Sequence, residues 1–247
     1  MDNFKEYKLS ESENIQMITR GFILIFLLFY LFYRSIPLAL VGGSFVFLLK
    51  KYYVRIKKEK RDDEILLQFK DFLVSLSFSI ETGRQMEEAI KESYNYMIEV
   101  YGEKKYLIKS IEYMKREMEV NHVSDRTLLI ELGKSTDIVD IINFVEVYIV
   151  ALETGGDLKK IINNNIQIIL DKLSILREIK TMSAQRYFEL KVITVMPIIV
   201  ILFFNIFNSD YITPLYEGVG GRIIMTLSLI GIIGAYYLGK KIMSIEI

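Results

Sequence analysis

Four apolar stretches frame the chain and limit what it can fold into. They cover residues 22–33, 36–49, 192–207 and 223–238, whereas residues 50–191 are mixed, charged and periodic. A hydrophobic content of 51% alone fits either a large soluble domain or a membrane protein. Because the apolar residues collect toward the two ends of the chain, the pattern predicts membrane spans rather than one soluble core.

The first two apolar stretches are predicted to form a transmembrane hairpin over residues 22–49. Each stretch is shorter than the roughly 20 residues that cross about 30 Å of hydrocarbon, so we expect flanking residues to join the spans or the bilayer to thin. Arg34 separates the two stretches, and Ser35 and Pro37 then favour the start of a new helix. A single tilted span is the alternative, and it would bury Arg34 at a cost.

The distribution of Lys and Arg predicts the orientation, since cytoplasmic flanks of spans carry an excess of both. Residues 50–61 contain seven: Lys50, Lys51, Arg55, Lys57, Lys58, Lys60 and Arg61. Lys240 and Lys241 follow the fourth stretch, whereas the segment between the last two stretches has only Arg222, at its end. We therefore expect residues 50–191 and the tail 240–247 in the cytoplasm, and residues 208–221 in a short external loop.

The N-terminal segment 1–21 fits a cytoplasmic start and a retained membrane segment. A secretory signal peptide would need a short basic start and a small-residue cleavage site, whereas this start is long and partly acidic. The chain has no cysteine, which excludes disulfides, and a formal net charge of zero, which argues against bulk binding of nucleic acid.

The basic segment 50–61 has two interpretations that do not exclude each other. It can set the topology and contact anionic lipid headgroups, with each basic side chain near the surface contributing about 1 kcal/mol. It can also dock a cytoplasmic partner. Its seven Lys and Arg residues are therefore candidates for lipid or partner docking.

The segment 62–191 is predicted to be helical almost throughout, because no proline occurs between residues 53 and 195 and apolar residues recur at helical spacing. One such stripe comprises Ile65, Leu66, Phe69, Phe72, Leu73, Leu76 and Ile80, and a second comprises Ile138, Ile141, Ile142, Val145, Tyr148, Ile149 and Leu152. Between them we expect a helix over 103–120 and one from Ser124 to about residue 134. Asp137 is predicted to cap the fifth helix, and the sixth should run from Asp157 into the third span.

The predicted fold is therefore all-α. It is an integral membrane protein in which a cytoplasmic six-helix bundle, residues 62–191, lies between the hairpin 22–49 and a second transmembrane hairpin, 192–239. The basic segment 50–61 links the first hairpin to the bundle.

A repeat falls inside the predicted bundle. Residues 79–93 read SIETGRQMEEAIKES, and 72 positions later residues 151–165 read ALETGGDLKKIINNN. Gly83 and Gly155 stand where a helix end favours a left-handed residue, which predicts two helix-turn-helix units. The repeat can reflect the same turn chemistry in two hairpins, or two related contact surfaces.

Two acidic residues of the repeat favour the second interpretation. Glu81 and Glu153 fall in the last turn of a helix, where the helix dipole disfavours a negative charge by roughly 0.3 to 1 kcal/mol. Arg84 is a nearby counter-charge for Glu81. Glu153 has none close in sequence, so its partner is expected from elsewhere in the fold or from another chain.

The ordered set of motifs resembles the type II secretion F family, in particular the platform proteins of tight-adherence (Tad) pili. The motifs are QFKDFLVSLSFSIETGRQMEEAI, VALETGGDLKKII, VMPIIVILFF, SDYITPLY, GRIIMT and GKKIM. The resemblance covers nearly the whole chain. Each motif alone is a weak signal, and their order is the specific one.

This resemblance implies a non-enzymatic scaffold of the inner membrane that sits above a hexameric secretion ATPase and acts on prepilins. The family's turn motif falls on Glu81, Thr82 and Gly83, and again on Glu153, Thr154, Gly155, Gly156 and Asp157. With Arg84, these are the candidate partner-interface residues, and Pro197 is the expected kink in the third span. Many relatives carry two copies of the bundle, so a chain with one is expected to pair with itself or with a related platform subunit.

Enzymatic interpretations find little support in the sequence. His122 is the only histidine, so without cysteine a zinc site would need carboxylates beside it, and no GxxxxGK[ST] run occurs. No cofactor or metal is therefore expected. Two other classes stay open: a small transporter or channel, which would need ionisable or helix-breaking residues inside the membrane, and a membrane-anchored signalling helix bundle.

Overall fold

A computed structural model describes residues 4–5 and 9–243, and all regular secondary structure in this part of the chain is helical. The helices are α1 (Glu11–Tyr33), α2 (Ile36–Ser44), α3 (Val46–Glu81), α4 (Met86–Tyr101), α5 (Tyr106–Asn121), α6 (Asp125–Ser135), α7 (Val139–Thr154), α8 (Leu158–Phe207), α9 (Ser209–Tyr216) and α10 (Gly218–Met243). The all-α class is confirmed. Parts of the predicted N-terminal segment 1–21 and tail 240–247 lie outside the described residues.

The chain divides into two compact units. The helical unit contains residues 54–176 together with the N-terminal residues 4 and 5, and the apolar unit contains residues 9–53 and the residues from 177 onward. Helices α3 and α8 contribute residues to both units. The unit boundaries therefore fall inside continuous helices rather than in loops.

The core of the helical unit forms where α3 and α7, the helices that carry the two predicted apolar stripes, meet. Phe69 of α3 contacts Phe144 of α7 edge to face, with ring centroids 5.5 Å apart. Further fully buried side chains come from α4, α5, α6 and α8, and they include Ile90, Met97, Leu107, Ile108, Ile111, Leu129, Leu132 and Ile162. Each of these helices buries one apolar stripe, as helical spacing of apolar residues requires.

Both predicted helix-turn-helix units are present. Helix α4 begins at Met86 and α8 begins at Leu158, and these positions are 72 residues apart, as in the sequence repeat. Gly83 and Gly155 both have positive φ, at 85° and 70°, a conformation that glycine adopts without a side-chain clash. Two pairs of equivalent apolar positions are buried in both copies: Phe72 with Phe144, and Ile90 with Ile162.

Phe4, near the N-terminus, packs into the helical unit, which the sequence pattern did not indicate. Phe4 is buried in the core cluster, and its backbone N–H donates to the Ser135 carbonyl at 2.7 Å. The guanidinium of Arg61, which is only 6% exposed, donates to the Phe4 carbonyl at 2.5 Å and pairs with Asp62. These bonds hold Phe4 on the same unit as α3.

Helices α1 and α2 form the predicted hairpin within the apolar unit. Arg34 ends α1 in a left-handed conformation, with φ 45° and ψ 32°, and Ser35 starts α2. A side chain at Gly42 would lie only 2.3 Å from the ring of Phe29, so α2 approaches α1 closely. The first apolar region is therefore two packed helices and not one tilted helix.

Four helical stretches of the described chain are long and apolar enough to cross a membrane. They are Glu11–Tyr33, Ile36–Glu81, Leu158–Phe207 and Gly218–Ile242. Each extends beyond its apolar stretch, as expected for spans that use flanking residues. The third continues through Pro197, although proline has no N–H to donate to the helix.

The segment 208–221, predicted to be a short external loop, contains α9 and the start of α10. Gly221 packs so closely there that a side chain would lie 2.4 Å from the Pro214 carbonyl. One local prediction was wrong. Asp137 does not cap α7. Ile138 occupies the cap position, and Asp137 instead accepts a hydrogen bond from Lys58 at 2.9 Å.

The Phe69–Phe144 contact generates a test of the core. We expect Phe144→Ala to lower the free energy of unfolding by about 3 to 5 kcal/mol, because it removes a fully buried ring and leaves a cavity. Phe78→Ala is the matched control, since Phe78 is 67% exposed, and it should change stability by about 0.5 kcal/mol at most. Denaturant unfolding of the detergent-solubilised protein measures both. Equal losses for the two variants would contradict the core described above.

Candidate functional site

The candidate site is the end of the helical unit that carries the two turns, residues 82–85 and 155–157. We call this surface the turn end. The first turn closes α3 with two backbone bonds: Gly83 N–H donates to the Ile80 carbonyl at 3.0 Å, and Arg84 N–H donates to the Ser79 carbonyl at 3.2 Å. This pair of bonds is the Schellman arrangement, which satisfies carbonyls that a helix end leaves without intrahelical partners.

The second turn closes α7 in a related way. Gly156 N–H donates to the Ala151 carbonyl at 2.8 Å. Asp157 then starts α8, where its carboxylate accepts a hydrogen bond from the Lys160 N–H at 3.1 Å, a helix N-cap bond.

The threonine of each Glu-Thr-Gly has the same local role. The Thr82 hydroxyl donates to the Ser79 carbonyl, and the Thr154 hydroxyl donates to the Val150 carbonyl, both at 2.8 Å. The shared motif thus supplies two hydrogen-bonded helix ends, and the turn-chemistry interpretation explains its threonine and glycine.

The glutamates of the motif have counter-charges within the chain. Glu81 forms an ion pair with Lys159 at 3.2 Å, and Glu153 forms one with Arg126 of α6. Lys159 follows the second turn, so the first pair brings the two turns to one surface. The expected partner for Glu153 from elsewhere in the fold is therefore confirmed.

Arg84 does not pair with Glu81 among the described residues, which corrects the predicted pairing. Its guanidinium instead contacts the carboxylates of Glu88 and Glu92 on α4. Ser79 also donates to Glu92, at 2.8 Å. The first turn therefore anchors to its own following helix, whereas its glutamate reaches across to the second turn.

All nine predicted interface residues are exposed: Glu81, Thr82, Gly83, Arg84, Glu153, Thr154, Gly155, Gly156 and Asp157. The ion pairs among them are open to solvent, with side-chain exposures of 53% and 37% for Lys159 and Glu81. Exposed pairs of this kind contribute about 0.2 to 1 kcal/mol. A partner can therefore exchange these contacts for its own at little cost to the fold.

Of the seven basic residues predicted to dock lipid or a partner, six lie at the surface and one is buried. Lys50, Lys51, Arg55 and Lys60 are exposed, and Lys57 and Lys58 are partly exposed. Arg61 is an exception, because it is buried against Phe4 and Asp62. Its guanidinium lies inside the helical unit, so the prediction that it docks lipid or a partner is wrong.

Beneath the turn end, a buried tyrosine links α7 to α6. The Tyr148 hydroxyl donates to the Asp125 carboxylate at 2.5 Å. Burial, followed by this hydrogen bond and the charge of Asp125, raises the pKa of Tyr148 above its ordinary value. Sequence analysis placed Tyr148 in an apolar stripe and missed the bond, and the signal available was Asp125 next to the cap residue Ser124.

The described residues contain no candidate metal site. Among residues 4–5 and 9–243, no group of three or more His, Cys, Asp or Glu side chains is arranged to hold a metal ion. His122 is exposed and ends α5 in a left-handed conformation, with φ 53°. The arrangement at the turn end is a charged, exposed contact surface.

Comparisons of the chain with protein-family models, with curated proteins and with solved structures gave no match in any of the three. The function is therefore argued from the sequence motifs and the geometry of the turn end.

The ion pair between the two turns can be tested by a double-mutant cycle with Glu81→Ala and Lys159→Ala. We expect a coupling free energy of about 0.2 to 1 kcal/mol, because both side chains are exposed. The pair of Lys91 with Glu87, 2.8 Å apart on α4, is the control and lies within one helix. Denaturant unfolding measures both cycles. A coupling above about 2 kcal/mol would show that the pair is a structural element and not an exchangeable contact.

The Tyr148 bond predicts a loss of stability in alkali. A phenol whose pKa is raised in the folded state keeps its proton while the unfolded state loses it above about pH 10. Its contribution is therefore complete below pH 10 and declines as the pH rises further.

Tyr148→Phe removes this contribution, so at pH 8 it should lower the free energy of unfolding by about 1 to 3 kcal/mol. Above pH 10 the difference in free energy between the variant and wild type should become smaller. Tyr96→Phe is the control, because Tyr96 is 44% exposed. Denaturant unfolding at several pH values measures the difference. A constant difference from pH 8 to pH 11 would contradict the role of the phenol proton.

Proposed function

We propose that this protein is the platform of a Tad-like or type IV-like pilus, or of a type II secretion machine. In this role it is a non-enzymatic scaffold of the inner membrane. It couples a hexameric secretion ATPase to the extraction and assembly of prepilins. The motifs that resemble the type II secretion F family support the proposal, together with four helices long and apolar enough to cross a membrane.

The observation that carries the proposal is the pairing of the two turns. Glu81, the last residue before the first turn, contacts Lys159, two residues beyond the second turn, at 3.2 Å. Two turns with the same motif therefore face solvent together at one end of the helical unit. Related surfaces held side by side suit a partner that presents repeated subunits, such as the ring of a hexameric ATPase.

The proposed orientation follows the basic residues. In it, the helical unit is a cytoplasmic six-helix bundle formed by α3 to α8, and the segment around α9 faces the outside. The excess of Lys and Arg in residues 50–61 and at Lys240 and Lys241 supports this arrangement, because positive flanks stay in the cytoplasm. The ATPase then meets the turn end from the cytoplasm, and prepilins meet the apolar unit within the membrane.

A second platform copy completes the proposal. Many members of the family that this chain resembles carry two copies of the bundle, and this chain carries one. We therefore expect it to assemble with itself or with a related platform subunit. Exposed basic side chains such as Lys50 and Lys51 are available to hold the assembly against anionic lipid.

Affinity purification from the native host tests the function. The tagged protein is crosslinked, solubilised in detergent and recovered, and the proteins that accompany it are identified by mass spectrometry. We expect a secretion ATPase together with a platform subunit or a prepilin. Recovery of the protein alone after crosslinking would remove the main support for a platform and would direct attention to transport assays.

Variants at the turn end then locate the ATPase contact. Glu81→Ala with Glu153→Ala should reduce ATPase recovery several-fold and leave the thermal unfolding temperature within a few degrees of wild type, because both ion pairs are exposed. Each single variant should impair assembly more than stability. Glu99→Ala is the charge-matched control for each single variant, since it also removes one carboxylate. Glu99 is exposed and lies 13 residues along α4 from Met86, or about 20 Å. Unchanged recovery in the double variant would place the contact elsewhere.

A further inference from the structure

A groove in the apolar unit is lined by α1 and α8. Its volume is about 880 Å³, within the range of roughly 300 to 1,000 Å³ that small-molecule sites occupy. The lining is mainly aliphatic and has a polar group at Arg34, and it comprises Leu24, Leu27, Leu28, Tyr30, Leu31, Arg34, Ile198, Leu202 and Asn205. The groove thus combines a long apolar surface with one positive charge.

The charge is held in place by a short network of hydrogen bonds. Arg34 Nε donates to Asn205 Oδ1 at 2.9 Å, and the guanidinium carbon lies 4.8 Å from the centre of the Tyr216 ring. Asn205 donates to the Tyr216 hydroxyl at 2.8 Å, and that hydroxyl donates to the Leu31 carbonyl at 2.7 Å. Arg34 is thereby fixed through Nε and stacked on an aromatic face, an arrangement that leaves its outer nitrogens available as donors.

Arg34 has no counter-charge in the described part of the chain. Among the described residues, the Arg34 side chain contacts the Asn205 amide and the Tyr216 ring, and it is exposed. The two groups that fix it, an amide and a phenol ring, are neutral. A charged donor of this kind at the end of an apolar groove is complementary to an anion that carries hydrocarbon chains.

We propose that this groove binds a phospholipid with a net negative charge. The phosphate accepts hydrogen bonds from Arg34, and an acyl chain lies along the leucines of α1 and along Ile198 and Leu202 of α8. The guanidinium matches phosphate geometry and can donate two parallel hydrogen bonds. A free phosphate ion would use the guanidinium alone, whereas a lipid uses the charge and the apolar wall together.

This site is separate from the basic segment 50–61 and independent of the platform function. The basic segment carries exposed lysines that suit any anionic surface. The groove instead holds one guanidinium in a defined orientation, so it is expected to bind one lipid with a fixed stoichiometry.

Native mass spectrometry of the full chain in a neutral detergent tests the proposal. The protein is titrated with phosphatidylglycerol and, separately, with phosphatidylcholine of the same acyl chains. We expect one phosphatidylglycerol to bind about tenfold more tightly than phosphatidylcholine. Both phosphates can accept hydrogen bonds from Arg34, but the choline of phosphatidylcholine places a second positive charge near the guanidinium and repels it. Equal affinity for the two lipids would overturn the proposal.

Two variants separate the charge from the apolar wall. Arg34→Gln should remove most of the preference for phosphatidylglycerol, and Leu27→Trp, which fills the groove beside an unchanged Arg34, should weaken both lipids. Arg222→Gln is the charge-matched control: Arg222 is exposed in α10 and does not line the groove, so this variant should bind like wild type. Thermal unfolding of each variant verifies that it folds. A folded Arg34→Gln that retains the wild-type preference would contradict the assignment, as would a folded Leu27→Trp with unchanged affinity for both lipids.

Other occupants give distinct results in the same experiment. Displacement of phosphatidylglycerol by millimolar inorganic phosphate would assign the site to a free anion and overturn the lipid assignment. A dimer that Leu27→Trp dissociates, with no lipid bound by wild type, would assign the groove to a second copy of the chain and would also overturn it.

Discussion

The contact between Phe69 and Phe144 is the interaction on which the helical unit depends. The two rings meet edge to face, with centroids 5.5 Å apart, and they come from the first helices of the two repeated helix-turn-helix units. An edge-to-face pair adds about 0.5 to 1.5 kcal/mol beyond the burial of its area. Because the pair lies between α3 and α7, the packing of these helices sets where each of their C-terminal turns emerges. The position of the turn end is thus a consequence of core packing.

The sequence predicted this part of the fold well, for a physical reason. Apolar stripes at helical spacing and glycines after Glu-Thr depend on residues close together in the chain. Gly83 and Gly155 have the expected positive φ, α6 begins after Ser124, and α8 continues unbroken from Leu158 into the third candidate span. The observed helix ends differ from the predicted ones by only a few residues, because the last residue of a helix depends on fraying and on its capping contacts.

Several errors and omissions have a different origin, since they depend on residues that are distant in sequence. Arg84 is three residues from Glu81, yet Glu81 forms its ion pair with Lys159. Arg61 belongs to a basic run that suggests an exposed surface, yet Phe4 covers it. The nine predicted interface residues were identified from their motif, and they are exposed because they lie at or beside the turns. Their partners Arg126 and Lys159 can be identified only once the packing of the helices is known.

The burial of Phe4 limits how many times the chain can cross a bilayer before residue 54. Phe4 and residues 54–176 belong to one compact unit, and a compact unit that lies outside a bilayer occupies one side of it only. The chain leaves that unit after its first residues and returns to it at residue 54. Any bilayer crossed between residues 9 and 53 must therefore be crossed an even number of times. Phe4 and the helical unit would then lie on the same side of that bilayer, whichever way the protein is inserted.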